Sequence, residues 1–473
     1  MDLLHAEFKR KFSLSLHKSL RLSLAEMSFA KDFVHDKRGD LYPILARTAE
    51  AAETVEGGSF RVSSGALTRF FCAFFPYATY EVTGRVKNGR VGFRFLLPCG
   101  AWAALSFGEG ALYYETDEGC EARPLPPADE ERTMLVSCRP SYFDVYFKKT
   151  NGVEYFGTFD AKHFRDANLY EVFSSVKAAL TVMGDACVTR VLSYLDSGIG
   201  IADMRPIRYE NGEVMVKEGK IYLTVSLRMQ AEALQGVISW VPGTAELSLT
   251  GVMLYDAGDG RWASDVAASV LYHRKEEKWL LWVPSFSHGH ILAHAAFDGD
   301  PRFGVNVIDV CLEEQAPEGA DVTAFYTFPN DEDPDFFFDE TAGLWRMAVC
   351  RTDPETNAYR YLFFESERPF DGYRFVGRGL AGAETGGSFV RVEGELYFLC
   401  GNAFDKISDY RIYHRGGVET ARFDHPDGGF RGWGTLIPVK MGSRTRYFWL
   451  TFDRHNGSDY NWSYGNLYCF EAF

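Results

Sequence analysis

Four acidic residues stand at or near the start of strand-like segments in the second half of the chain. Asp333 opens "DPDFFFDETAGLW", Glu384 opens "ETGGSFVRVEGELYF", Asp203 lies in "GIADMRP", and Glu213 leads into "EVMVKEGKIYLT". A carboxylic acid donates a proton and a carboxylate accepts one, so two such groups in one site suffice for general acid–base catalysis. Ordinary turns, a solvated loop and a cap on the linker between the two halves are the structural alternatives.

A second group of polar residues lies in "SFSHGHILAHAAFDGDPRFGV". His288 and His290 are two residues apart, a spacing that predicts both side chains on one face of a strand. Together with Arg302 they offer hydrogen bonds to a substrate or a grip on phosphate. No third ligand is spaced with the histidines, so the sequence favours substrate contact over an exposed turn, and both over a metal site.

Two tryptophans differ from the rest in their surroundings. Trp433 and Trp462 lie in loops rich in glycine and serine rather than in alternating strands. An aromatic face in such a loop stacks well on the C–H surface of a ligand ring. We therefore predict that these two side chains contact substrate.

The elements that must position these residues repeat five times between residues 211 and 452. Each copy has a small or acidic start, an apolar strand, a charged or glycine turn and an aromatic-rich strand. The copies begin roughly 45–65 residues apart, which is the spacing of four-stranded propeller blades. The period within each copy is two residues, which excludes a helical solenoid. We predict an all-β chain in which residues 201–473 form a five-bladed β-propeller.

Residues 1–200 lack that repeat. They alternate as short strands separated by glycine-rich turns, which favours a β-sandwich of the jelly-roll kind. This part looks like the lectin-type, concanavalin-like domains that accompany many carbohydrate-active enzymes. We expect the boundary between the two halves near residues 197–203.

The composition limits the binding partners and the cellular compartment that we expect for this protein. The 473 residues include 65 acidic and 50 basic side chains, and the net charge of −15 disfavours nucleic acid and anionic membranes. Nine scattered cysteines without a C-x-x-C pair indicate buried, reduced thiols. Without an apolar leader or a long apolar run, we expect a cytoplasmic protein. Phosphate-binding loops and dinucleotide fingerprints do not occur, so we expect no cofactor and no metal.

A five-bladed propeller with acidic residues entering successive innermost strands resembles glycoside hydrolase family 43 and its relatives. "DPDFFFDETAGLW" is similar to that family's Asp-Pro strand motif, with one extra residue in the turn, so Asp333 takes the place of the aspartate that tunes the acid's pKa. Glu384 takes the place of the general acid, again one residue longer than the family's spacing. The family's general base precedes the first strand of blade one, where Asp203 or Glu213 stands here. Asp203 is favoured, and Asn211 lies nearest the expected position.

The resemblance implies a glycoside hydrolase that acts on an oligosaccharide, such as a furanoside, with inversion at the anomeric carbon. Two alternatives stay open. A non-catalytic carbohydrate-binding propeller is favoured if Asn211 stands in the place of the base. A glycoside phosphorylase or transglycosylase would use His288, His290 and Arg302 to bind phosphate. Likeness of fold does not choose between these functions.

Overall fold

The computed structural model describes residues 3–16, 18–33, 41–126, 131–230, 232–317, 320, 325–352, 358–380, 382–402, 409–422, 434–453 and 466–473. This part of the chain is nearly all β, and its strands are numbered β1 to β36 in chain order. Its helices are single turns: α-helices at Phe29–Asp32 and Tyr170–Phe173, and 3-10 helices at Leu3–His5, Lys162–Phe164 and Phe286–His288. None of these helices is long and apolar enough to cross a bilayer.

The chain divides into two compact units. The propeller unit comprises Met1–Leu20, Ser197–Asp259 and Ala263–Phe473, and the N-terminal unit comprises Arg21–Asp196 and Gly260–Trp262. The first twenty residues thus group with the second half of the chain, whereas the sequence analysis placed them with the first half. The reason is strand pairing, because β1 (Phe8–Leu14) pairs with the last strand, β36 (Leu467–Ala472).

Five sheets in the propeller unit are five blades, which confirms the predicted all-β propeller. Blade 1 has β15 (Gly200–Pro206), β18 (Lys220–Arg228), β19 (Ala233–Trp240) and β20 (Leu247–Asp256), extended by β17 (Val216–Lys217) and β24 (Gly304–Asp309). Blade 2 has β21 (Ser269–His273), β22 (Lys278–Ser285), β23 (Ile291–Phe297) and β25 (Cys311–Leu312), with β16 (Arg208–Tyr209) beside β21. The strands of the five sheets pair antiparallel except for β20 with β24 and β16 with β21.

The last three blades follow the same order from the innermost strand outwards. Blade 3 has β26 (Glu332–Asp339), β27 (Leu344–Thr352), β28 (Tyr359–Ser366) and β29 (Arg374–Arg378). Blade 4 has β30 (Glu384–Val392), β31 (Glu395–Asn402), β32 (Asp409–His414) and β33 (Gly417–Arg422). Blade 5 has β34 (Gly434–Met441), β35 (Arg444–Phe452) and β36, and β1 completes it as the outer strand.

The innermost strand of blade 1 is not the one that the sequence repeat indicated. The predicted first copy began at residue 211, but residues 211–217 belong to the connection between β15 and β18. All seven residues of β15 are buried. A strand buried on both faces shows no alternation of polar and apolar residues, so its pattern was not recognised.

Apolar clusters hold neighbouring blades together and so fix the ends of the innermost strands. Trp282 of blade 2 packs with Phe336 and Met347 of blade 3. Trp449 of blade 5 packs with Leu399 of blade 4. Burial of one large apolar side chain contributes about 1.5–3 kcal/mol. These contacts provide a rigid frame for side chains at the strand ends.

The strands of the N-terminal unit form one connected antiparallel network. They are β2 (Arg21–Met27), β3 (Ile44–Arg47), β4 (Ala52–Glu56), β5 (Ser59–Ser64), β6 (Ala66–Ala73), β7 (Thr79–Leu96), β8 (Trp102–Gly108), β9 (Ala111–Thr116), β10 (Cys120–Pro124), β11 (Arg132–Arg139), β12 (Tyr142–Lys149), β13 (Gly152–Asp160) and β14 (Lys177–Asp196). The long strands β7 and β14 pair along almost their whole length. The lectin-like, jelly-roll character of this unit stays a prediction.

The nine cysteines are all free, in agreement with their scattered spacing. Cys99, Cys120 and Cys311 are exposed, so the prediction that all nine are buried is wrong. Spacing in the sequence reports on pairing, and it carries no information about the depth of an unpaired thiol.

Candidate active site

The innermost strands of blades 1, 3 and 4 contain the same β-bulge. In each, the pairing with the second strand shifts so that two residues oppose one. The first bulge residue is left-handed in all three, with φ of 56° at Asp203, 50° at Asp333 and 60° at Gly386. Non-glycine residues rarely adopt this conformation, and those that do are concentrated at functional sites. Asp203 and Asp333 therefore occupy equivalent positions, and glycine leaves the third position without a side chain.

The two aspartates lie at the same end of the propeller, which we call the aspartate end. Innermost strands of a propeller run in one direction along its axis, and both aspartates stand at the first position of the same bulge, as the fourth residue of β15 and the second of β26. The charge of Asp203 also contributes to raising the pKa of Asp333. Both residues keep a small exposure, 9% for Asp203 and 6% for Asp333, so they are largely desolvated without being sealed off.

Asp203 is bound by two side chains of its own blade. Ser226 Oγ donates a hydrogen bond to Asp203 Oδ2, and Arg228 Nη2 lies 3.1 Å from the same oxygen. Both donors stand on β18. Among the described residues, no donor reaches Oδ1 of Asp203, so this oxygen is available to a water molecule or a substrate.

Asp333 is bound from the neighbouring blade instead. Its Oδ2 accepts hydrogen bonds from Thr385 Oγ1 and from the backbone N–H of Gly386, both at 2.9 Å. Gly386 is the left-handed bulge residue of blade 4. The bulge of blade 4 therefore supplies no carboxylate of its own, but its backbone N–H donates to the carboxylate in the bulge of blade 3. In the described part of the chain, Asp333 Oδ1 has no protein donor.

The environment of Asp333 favours its protonated form. Burial, and after it the negative charges of Glu332 and Asp203, raise its pKa to about 7. The Gly386 N–H and the Arg205 cation act in the opposite direction. Close to neutral pH this carboxyl group can therefore hold a proton and release it.

Arg205 is a buried arginine that connects the bulges of the innermost strands. It starts from β15 and donates hydrogen bonds to the carbonyl oxygens of Pro334 and, at 2.9 Å, Gly387. Those two residues hold the second position of the bulges in blades 3 and 4. The fully buried guanidinium thus joins three bulges, and its Nη1 lies 3.4 Å from Asp335 Oδ1.

Asp335 is the counterion of Arg205 and Arg208. Its carboxylate accepts hydrogen bonds from Arg208 Nη2, from Ser269 Oγ at 3.0 Å and from Phe389 N at 2.7 Å. Arg208 and Ser269 belong to blade 2 and Phe389 to blade 4, so together with Arg205 of blade 1 this buried carboxylate of blade 3 joins four blades. The sequence analysis missed Arg205 and Asp335, although a charged residue inside an otherwise apolar strand is a recognisable signal of a buried ion pair.

Glu384 lies in a different environment from the two aspartates. It is fully buried, and its carboxylate accepts hydrogen bonds from Tyr361 N at 2.9 Å and from the Tyr413 hydroxyl. Successive residues of a strand point to opposite faces, and it is Thr385 that reaches Asp333. The Glu384 side chain therefore leaves the strand on the other face, toward the third strands of blades 3 and 4.

Glu213 lies beyond the opposite end of the innermost strand. Asp203 lies within β15, whereas Glu213 follows that strand in the connection to β18, where its N–H donates to Asn211 Oδ1. Its side chain is exposed, and its nearest cation is Arg274, with Nη1 3.8 Å from Oε2. Of the two candidates for the base, Asp203 is the one that stands with Asp333.

His288 and His290 do not share a strand, so that part of the histidine prediction is wrong. His288 ends the 3-10 helix Phe286–His288, Gly289 is left-handed at φ 83°, and His290 is left-handed at φ 58°. Glycine in this conformation makes a turn, and residues two apart satisfy a turn as readily as a strand. The turn joins β22 to β23, and it lies at the aspartate end because β21 starts there and β22 runs back.

The histidine turn reaches the aspartates through Glu332. His290 Nε2 lies 3.1 Å from Glu332 Oε1, and Glu332 directly precedes Asp333. His288 instead contacts Ser285, with 2.9 Å between Nδ1 and Oγ. The structure thus brings one of the two predicted histidines beside the aspartate pair.

The same turn presents an aromatic side chain that the sequence analysis overlooked. Phe286 is 43% exposed, and its ring centroid lies 4.4 Å from that of His290. Buried Asp265 fixes the turn, because it accepts hydrogen bonds from Ser285 Oγ at 2.9 Å and from Ser287 N and Oγ at 3.2 and 3.0 Å. An exposed phenylalanine beside a histidine in a polar turn was the available signal.

Arg302, another of the predicted site residues, is engaged elsewhere in the propeller unit. Arg302 is buried on Tyr222 and Trp279 and makes a two-pronged ion pair with Asp300, at 2.8 and 2.7 Å. Trp433 and Trp462 lie outside the described residues. Within the described ranges, no group of three His, Cys, Asp or Glu side chains is arranged to hold a metal ion.

No family profile and no curated protein sequence matches the chain. Similar solved structures include a family-43 β-1,3-galactosidase with galactodeoxynojirimycin, at 11% identity and a TM-score of 0.38 over 56% of this chain and 93% of that one. Fructan 1-exohydrolase IIa from Cichorium intybus has 11% identity and a TM-score of 0.38 over 57% and 54% of the two chains. The carbohydrate-binding module CBM66 from Bacillus subtilis has 14% identity and a TM-score of 0.24 over 33% and 95%.

The structures similar to this chain are thus mostly family-43 and related propeller glycoside hydrolases. Their low identity leaves the activity of this chain to be argued from its own residues.

Proposed function

We propose that the protein is a glycoside hydrolase that cleaves an oligosaccharide by carboxylate acid–base catalysis at the aspartate end of the propeller. The observation that carries the proposal is the pair of equivalent left-handed aspartates, one of which has its pKa raised to about 7. Enzymes that hydrolyse glycosides use two carboxyl groups whose environments separate their roles, one as acid and one as base.

We assign the role of the acid to Asp333 and that of the base to Asp203, and their environments support this assignment. With a pKa of about 7, Asp333 can hold a proton near neutral pH, and its free Oδ1 can carry that proton to the leaving oxygen. Asp203 is bound through Oδ2 by Ser226 and Arg228, as a carboxylate is, and its other oxygen can take a proton from water. The C–O bond to the leaving group breaks, the water oxygen bonds to the anomeric carbon, and one proton enters and one leaves the protein.

The resemblance to family 43 supports inversion, for which two carboxyl groups stand roughly 6.5–9.5 Å apart with a water between them. It also makes Glu384 the proton donor, which differs from the assignment of Asp333 made here. A phosphorylase reaction has less support, because all three nitrogens of the Arg302 guanidinium that would have held phosphate are hydrogen-bonded, two to Asp300 and Nη1 to the sulfur of Met215.

The test is hydrolysis of aryl glycosides and short oligosaccharides by the full chain and by two matched variants. Asp203→Asn should lower kcat by about a thousandfold or more, since the base is lost. Glu213→Gln removes an exposed carboxylate at the opposite end and should leave kcat unchanged. Equal activity in both variants, or no hydrolysis of any glycoside offered, would refute the proposal.

A non-catalytic sugar-binding propeller is the second candidate. It is favoured by the position of Glu384, which is fully buried and accepts hydrogen bonds from two tyrosine residues. Calorimetric binding of an oligosaccharide, with no reducing ends released over a day, would select it. In that case, Asp203→Asn should weaken the binding of the oligosaccharide, and neither the parent chain nor the variant should hydrolyse it.

A further inference from the structure

A row of four side chains crosses the sheet of the N-terminal unit at one level. Thr54 of β4 is paired with Arg61 of β5, Arg61 with Cys187 of β14, and Cys187 with Arg85 of β7. Directly paired residues point to the same face of a sheet. Two arginines therefore stand on either side of a short cysteine side chain, and their Cα atoms are about 10 Å apart across two strand spacings.

This row lies on a concave, solvent-facing surface. The side chains of the row border a cavity of about 700 Å³, together with Glu56, Ser59, Lys87 and Asp185. That volume lies within the usual range of small-molecule sites, about 300–1,000 Å³. The pairing of β7 with β14 shifts register between Asp185 and Ala186, and such a bulge bends a strand and re-aims its side chains.

Contacts between the charged side chains of this groove hold some of them in fixed orientations. Asp185 Oδ1 accepts hydrogen bonds from Arg61 Nε and Nη2 at 3.2 and 2.8 Å, which fixes the plane of that guanidinium. Lys87 Nζ lies 3.8 Å from Asp185 Oδ2. Arg85 is exposed and has no carboxylate partner in the described part of the chain. With Glu56, the groove holds three cations and two carboxylates, in a chain whose net charge is −15.

We propose that this groove binds an oxyanion carried by a small polar ligand, held between Arg61 and Arg85 above Cys187. Guanidinium groups bind carboxylate, sulfate and phosphate through paired N–H donors. The short cysteine leaves room for the anion between the two arginines. Among the described residues that line the groove there is no aromatic side chain, so a neutral sugar ring finds no face there to stack on. The site is separate from the aspartate pair and does not depend on its activity.

Isothermal titration of the full chain tests this site with four probes: inorganic phosphate, inorganic sulfate, trigalacturonate and neutral galactotriose. At least one anionic probe should bind saturably, with an affinity that falls as sodium chloride is added. Stronger binding of trigalacturonate identifies a sugar carboxylate, and stronger binding of phosphate or sulfate identifies an ester. If no anionic probe binds, or galactotriose binds as well as the anions, the proposal fails.

Three variants locate the binding. Arg85→Ala removes one side of the anion site and should weaken binding about tenfold or more. Cys187→Trp fills the space between the arginines and should abolish binding. Arg90→Ala, on the same strand, is the control, because Arg90 is paired with Glu115 at 3.1 Å outside the groove. Binding that is equal in Arg85→Ala and the parent chain would place the anion elsewhere and overturn the proposal.

Discussion

Asp203 and Asp333 occupy the same left-handed first position of the same β-bulge, two blades apart in one propeller. A repeated fold repeats its backbone geometry, so the same local distortion delivers a side chain to the axis from different blades. Their surroundings then differ. Asp203 is bound by Ser226 and Arg228 of its own blade, and Asp333 by the backbone of the next blade. This difference separates the proposed base from the proposed acid.

The first prediction concerns pH-dependent stability at Asp333. Its pKa is about 7 in the folded chain against an ordinary value of 3.8, so folding favours the protonated form. The stability from this carboxyl group is complete below about pH 4 and is lost as the pH rises through about 7, with a limiting slope of about 1.4 kcal/mol per pH unit. Asp333→Asn does not titrate, so its Tm relative to the parent should rise from pH 5 to pH 8. A constant difference across this range would contradict the raised pKa.

The second prediction separates two roles for Glu384. An amide has one oxygen and one NH2 group, so Glu384→Gln cannot accept hydrogen bonds from both Tyr361 N and the Tyr413 hydroxyl. If Glu384 is structural, urea denaturation should show a loss of about 1–3 kcal/mol, with kcat nearly unchanged.

If Glu384 is instead the proton donor, kcat should fall about a hundredfold or more on substrates with poor leaving groups. Aryl glycosides with good leaving groups should then be spared. Asp333→Asn is assayed on the same substrates as Glu384→Gln. The variant whose loss of kcat is large for poor leaving groups and small for good ones identifies the carboxyl group that acts as the acid.

The third prediction concerns Phe286 as a stacking surface for a sugar ring. Phe286→Ala should raise KM about fivefold with little change in kcat, the loss expected for one stacking contact of about 1 kcal/mol. Phe286→Trp should restore KM. Phe303→Ala is the matched control, because Phe303 is 46% exposed but packs on Tyr222 near the opposite end of β18. A KM that rises equally in both alanine variants would argue against the assignment.

The fourth prediction concerns the buried ion cluster beneath the aspartates. Asp335→Asn leaves Arg205 and Arg208 buried with only part of their counter-charge, so the unfolding free energy should fall by about 3–5 kcal/mol. Asp298→Asn is the control, since its ion pair with Lys278 is exposed and contributes less than about 1 kcal/mol. Chemical denaturation of both variants measures the difference. A loss no larger than that of the control would mean that the cluster is not structurally important.

The sequence by itself determined the architecture of the propeller, and it indicated two of the residues in the proposed site. Alternation with a period of two, turn residues and a recurring copy length are local properties, so five blades could be predicted from them. Asp203 and Asp333 could be picked out because an acidic residue before an apolar strand is visible without coordinates. The pattern failed at β15, where burial on both faces removes the alternation.

Only the tertiary structure decided which of the acidic residues lie together at one end of the propeller. A bulge is a shift in pairing between two strands, and the sequence of one strand does not contain it. The bulge in blade 4 starts at Gly386, so Thr385 faces Asp333 while Glu384 turns into the protein. Likewise, Asp203 and Glu213 are close in sequence, but Asp203 lies in the bulge of β15 whereas Glu213 lies past the end of that strand. Their roles diverge because strand direction and register, which arise from long-range pairing, set where each carboxylate points.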